Sequence, residues 1–136
     1  MFIKNIKGFH LIELMIVIII IGILASICFP IYTQPRIKAH RLEAETMLIK
    51  LVIALEEFHL ENQTYEGATL ADLNFSELIA ANNYRIAIQS ATDHSYVVIA
   101  KPLGKQETDD KECGILILNS NNQKNITGSG KVTECW

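Results

Sequence analysis

Hydrophobic residues follow three successive patterns along this chain. From Leu14 to Pro35 they form an uncharged, nearly continuous run dominated by Ile, Leu, Val and Met. A helix apolar on every face belongs in lipid or in a wholly apolar assembly, and about 20 such residues cross a bilayer. The helix is expected to start at Phe9 and to continue beyond the run. Gly22 weakens it modestly. Pro30 lacks an N–H and crowds the preceding turn, so a kink is expected there. Pro35 is a second break or the start of a soluble helix.

From Arg36 to about Glu61 the run gives way to a period. Ala44, Leu48, Leu51, Leu55 and Phe58 recur at spacings of four, three, four and three, which is one helical face. Met47, Val52 and Leu60 widen the stripe. Arg36, Lys38, His40, Arg41, Glu43, Glu45, Glu56, Glu57 and Glu61 fill the rest of the circumference. The stripe lacks the sustained heptads of a coiled coil, so a sheet or other element must cover it. Asn62 and Gly67 are stop signals. Asn62-Gln63-Thr64 is formally a glycosylation sequon and is read as a turn.

The third pattern is extended. Tyr84–Gln89 alternates, Tyr96–Ala100 is β-branched, and Ile115–Leu118 is a third strand, with a turn at Thr92–Ser95. Ser76–Ala81 suits a short helical turn. Gly104–Glu112 reads as a solvated loop; its oxygens could hold calcium, but the EF-hand spacing is absent. Asn119–Gly130 is polar and turn-rich, and Lys131–Glu134 is a candidate edge strand. The expected fold is α+β: a long N-terminal helix, membrane-spanning in its first half, packed on a three- to four-stranded antiparallel sheet.

Charge adds orientation. The chain has 12 Lys and Arg against 15 Asp and Glu, a formal charge of −3. Lys4 and Lys7 precede the apolar run and favour an N-terminus on the cytoplasmic side. Residues 36–136 then lie across the membrane, enough for one small domain. The acidic balance suits unspecific phosphate binding poorly, so nucleic acid is not an expected partner.

The candidate chemistry lies where the apolar run begins. Gly8 is a small residue placed before the run, whereas a secretory signal has its cleavage site beyond it. A cut after Gly8 keeps the apolar segment on the mature chain and creates an α-amino cation on Phe9, with a pKa of about 8. Glu13 stands at the mouth of the run, where a carboxylate is costly unless paired. The segment Gly8-Phe9-His10-Leu11-Ile12-Glu13-Leu14-Met15 resembles the prepilin motif of the type IV pilin family, closely over residues 1–35 and by architecture beyond. His10 departs from the usual Thr or Ser.

The resemblance implies a leader at 1–8, a membrane and filament-core helix at 9–35, and a periplasmic globular domain at 36–136. It implies cleavage between Gly8 and Phe9 by a prepilin peptidase, which also N-methylates Phe9. Glu13 then neutralises the N-terminus of a neighbouring subunit, and the helix partly melts between Gly22 and Pro30. Implied partners are other pilin subunits, the peptidase, the inner-membrane assembly platform and, before assembly, lipid. Cys113 and Cys135 would form a disulfide in an oxidising periplasm, closing a loop of about 22 residues; the alternative is two unrelated buried thiols. Cys28 is read as an apolar filler.

No nucleotide-binding, nucleophile-elbow or metalloprotease motif is present in the sequence, and no zinc spacing. His10, His40, His59 and His94 fall in different elements and suggest no triad. Neither an enzyme nor a cofactor is expected. The expected role is a minor subunit of a type IV pilus, supporting pilus biogenesis, adhesion or twitching. The rivals are a pseudopilin of a type II secretion system and a pilin-like module that binds DNA or a host surface.

Overall fold

The structure, a computed structural model, describes residues 8–136. Lys4, Lys7 and the rest of the leader before Gly8 lie outside the described residues. The first compact unit ends at Pro35 and the second is Arg36–Trp136.

Helix α1 spans Leu11–Asn62. It starts two residues later than expected, because His10 serves as its N-terminal flank. The helix runs on through Gly22, Pro30 and Pro35, so neither proline ends it, although each proline leaves one backbone hydrogen bond unmade. The helix stops where Gln63 turns left-handed, with a φ of 60°. There the Gln63 N–H reaches the carbonyl of His59 and the Asn62 side chain caps that of Phe58.

The second unit is built around a five-stranded antiparallel sheet in the order β1-β2-β3-β4-β5. The strands are β1 (Leu78–Ile79), β2 (Tyr84–Ala91), β3 (Tyr96–Pro102), β4 (Leu116–Asn119) and β5 (Lys124–Ile126). A bulge between Ile88 and Ser90 shifts the β2–β3 register. Two short helices complete the fold: α2 (Gly104–Asp109) and α3 (Val132–Cys135). Ala44, Leu48, Leu51 and Leu55 of α1 are fully buried with Tyr84, Ile86, Val98, Ala100 and Leu116 of the sheet. Removing that apolar surface from water is what binds helix to sheet.

Five further expectations change. The sheet has five strands rather than three or four. Ser76–Ala81 contains strand β1, paired at Leu78↔Arg85 and Ile79↔Tyr84, because pairing with β2 outweighs a weak local helical preference. The loop at Gly104–Glu112 contains α2, and its Gln106 and Asp110 are buried. The Lys131–Glu134 edge strand is helix α3, held from its first turn by the cysteine that ends it. Leu60 does not widen the buried stripe; it is exposed.

Candidate functional site

Gly8, Phe9 and His10 precede α1 without regular structure and are exposed. A Cβ placed on Gly8 would meet nothing within 4 Å. Nothing in the described chain therefore requires glycine at that position. Phe9 is 85% exposed, so the Gly8–Phe9 bond stands open to a second molecule.

Glu13 lies in the first turn of α1, where a carboxylate complements the helix dipole. Its Oε2 accepts the backbone N–H of His10 at 3.0 Å. The Glu13 N–H in turn donates to the His10 carbonyl at 2.9 Å. This is the returning half of a capping box, with Glu at the third helical position. The structure thus brings Phe9 and Glu13 to one exposed turn. Leu11 to Leu24 follow, all of the large apolar residues among them at least half exposed. Gly22 has open space about it, and Cys28 is free and exposed. Twelve exposed large apolar side chains within fourteen positions need lipid or a partner.

In the second unit, Cys113 and Cys135 form a disulfide with Cα atoms 5.5 Å apart. Sequence reasoning missed the polar cluster beside it. Arg41 reaches Asp110 through two parallel bonds of 3.0 and 3.1 Å, and its third nitrogen donates to the Glu134 carbonyl at 3.2 Å. Gln106 Nε2 donates to the Ile37 carbonyl and the Tyr84 hydroxyl. Desolvation pushes the Tyr84 phenol up to about 12, with Asp110 adding to the rise. The sequence pattern places Arg41 on the solvated side of α1, but the side chain is buried, and Asp110 neutralises it there. Only the unlike charge of Asp110 amid polar neighbours hinted at the pair.

A second cluster pins the start of the loop after α1. The Glu56 carboxylate accepts the hydroxyls of Tyr65 and Tyr96 at 3.0 and 3.1 Å, and Tyr65 stacks on His59. Burial, then the Glu56 bond, pushes both phenols up. Every buried side-chain polar atom among the described residues has a partner. Among the described residues no group of three His, Cys, Asp or Glu is placed to hold a metal, and within Gly104–Glu112 helix α2 and the residue after it turn Gln106 and Asp110 inward while Glu107, Asp109 and Glu112 stay exposed. These are structural clusters, with no nucleophile and base aimed into a cavity.

Two family models match the chain. The prokaryotic N-terminal methylation motif matches residues 3–29. The model described as type IV minor pilin ComP, DNA uptake sequence receptor, matches residues 30–117. The Thermus thermophilus type IV wide pilus major component PilA4 is 34% identical over 71% of this chain and 74% of the relative. The Myxococcus xanthus type IV major pilin protein PilA is 44% identical over 43% of this chain, which spans 27% of that protein. The type II secretion system core protein G of Pectobacterium carotovorum is 39% identical over 43% of this chain and 38% of its own length. Among solved structures, the Neisseria meningitidis non-core minor pilin PilV shares 14% identity, with a TM-score of 0.49, over 68% of this chain and 91% of that one.

Proposed function

The chain belongs to the type IV pilin family, and from that premise we propose that it is a minor subunit of a type IV pilus, matured by cleavage between Gly8 and Phe9. The open Gly8–Phe9 junction directly before an exposed apolar helix carries this reading. Gly8 has no structural duty in its own chain, which suits a residue read by a peptidase. Methylated Phe9 then begins the mature chain. Its amine, on an adjacent copy, meets Glu13, and both charges enter the apolar core as a pair. An unpaired charge there is heavily penalised, so the pair fixes docking. Before assembly, residues 9–35 hold the chain in the inner membrane with residues 36–136 in the periplasm. Extraction by the membrane assembly platform follows. Gly22 and Pro30 are the points at which the helix opens as copies pack.

Mass spectrometry of the chain from membranes tests the maturation step. The expected N-terminus is a methylated Phe9; a chain still beginning at Met1, or cut beyond the apolar run, counts against it. Immunogold labelling beside a deletion strain tests the assignment. Label on pili and altered piliation support it. Lost protein secretion with normal pili supports the pseudopilus. A second reading comes from the matching model's own description, which names a receptor for a DNA uptake sequence. Lys105, Lys111 and Lys131 are exposed, although the formal charge of −3 opposes a salt-driven phosphate contact. A salt-sensitive mobility shift of duplex DNA by the detergent-solubilised chain would support it.

A further inference from the structure

The face of α1 opposite the sheet carries an apolar stripe of its own. Leu42, Ile49, Ile53 and Leu60 are 62%, 47%, 54% and 74% exposed. Their spacings of seven, four and seven place them within about 40° of one line on a helix of 3.6 residues per turn. They occupy a and d positions of a heptad frame, with Ala39 and Thr46 at the remaining a positions. Glu56 falls at a d position, but its carboxylate is held by Tyr65 and Tyr96 within the domain. The flanking charges are ordered. Lys38 and Glu45 fall at g, Glu43 and Lys50 at e. Lys50 has no acidic residue three or four positions away on its own helix. None of these four side chains has an ion pair among the described residues.

In a parallel pair, a g residue meets the e residue five positions further along the other helix. In register, Lys38 meets Glu43 and Glu45 meets Lys50, each pair occurring twice by symmetry. Displaced by one heptad either way, Lys38 meets Lys50 or Arg36, and Glu45 meets Glu57 or Glu43, all of like sign. We propose that this stripe is a parallel, in-register seam between two copies of the chain while both are anchored in the membrane before filament assembly. The proposal rests on the membrane-anchored stage of the reading above. A common anchor sets the helices parallel and level. It also supplies the effective concentration that a seam of about three heptads, weakened by Thr46, does not supply alone.

The test places Ile49→Cys, with Cys28→Ala, in the full chain in native membranes and measures cross-linking with a short thiol reagent. Lys105→Cys on exposed α2 is the control. Ile49→Cys should give dimer and Lys105→Cys should not. Lys38→Glu should slow the cross-link by about tenfold, since two attractive pairs become two repulsive ones, and adding Glu43→Lys should restore it. Glu45→Lys with and without Lys50→Glu repeats the measurement at the second pair. Equal cross-linking at Lys105, failure of the double reversals to restore, or cross-links confined to sheared filaments overturns the seam. Filaments sheared from the same cells report incorporation separately: a chain present in filaments but uncross-linked in membranes removes the seam and leaves the pilus role standing.

Discussion

In the first turn of α1 the Glu13 carboxylate accepts the His10 N–H at 3.0 Å, a bond that a neutral amide could also accept. Glu13→Gln therefore separates the helix cap from the charge. The variant should keep its helix content by circular dichroism in detergent. It should lose incorporation by more than a hundredfold in competition with wild type, because an amine left unpaired in an apolar core costs about 3 kcal/mol or more. Normal incorporation of Glu13→Gln would reduce Glu13 to a cap. Tyr84 gives a second residue-scale test. Its phenol is raised from 10.0 to about 12 in the folded chain. A group whose folded pKa is raised adds stability that is full below the unfolded value and lost as pH rises through the folded one. Stability should thus fall between pH 10 and 12, by on the order of 2 kcal/mol for this group, followed by denaturant titration at each pH. Tyr84→Phe should flatten the Tyr84 share of that fall.

At the scale of elements, the terminal segment is held in two ways. The disulfide joins Cys113 to Cys135 across 22 positions. Arg41 holds the Glu134 carbonyl, Trp136 Nε1 donates to the Asn125 carbonyl, and the backbone of Gly128 and Gly130 bonds to Cys113 and Glu112. A Cβ on Gly128 would meet the Glu112 carbonyl at 2.1 Å, so glycine is required for this close approach. The chain-entropy contribution of such a bridge is about 3 kcal/mol. For a unit near 100 residues, reduction should lower the Tm by about 12–24 °C. The bonds that survive reduction place the fall at the lower end. A Tm unchanged by reductant would mean that Arg41 and the glycine contacts suffice. The sequence made α1, β2, β3 and β4 legible, because burial on one face imposes a period that local composition cannot hide. It did not reveal β1, β5, α2 or α3. Each is a few residues long, too short for any period, and exists because something already placed pairs with it. The same holds for the sites: Gly8, Phe9 and Glu13 form a contiguous motif, whereas Arg41 and Asp110 are 69 positions apart and meet only through the fold.

At the scale of the whole molecule, the two units differ in what they need. All members of the buried apolar cluster lie between Ala44 and Cys135, as do the disulfide and the sheet. The first unit supplies none of them, and its large apolar residues stand exposed from Phe9 to Tyr32. Residues 36–136 expressed alone should therefore fold as a soluble unit with one cooperative thermal transition, within a few degrees of the same transition in the full chain in mild detergent. They should be monomeric at micromolar concentration, because the outer stripe of α1 is short once the anchor is gone. The full chain should require detergent or membrane at any concentration, since so large an exposed apolar surface associates in water. Sedimentation velocity and thermal circular dichroism check both statements. A truncated chain that aggregates or melts without cooperativity would mean that residues before Arg36 stabilise the domain. Their apolar character would then serve folding as well as anchoring, and Glu13 would lie within a structural element of its own chain rather than in a surface kept open for another copy.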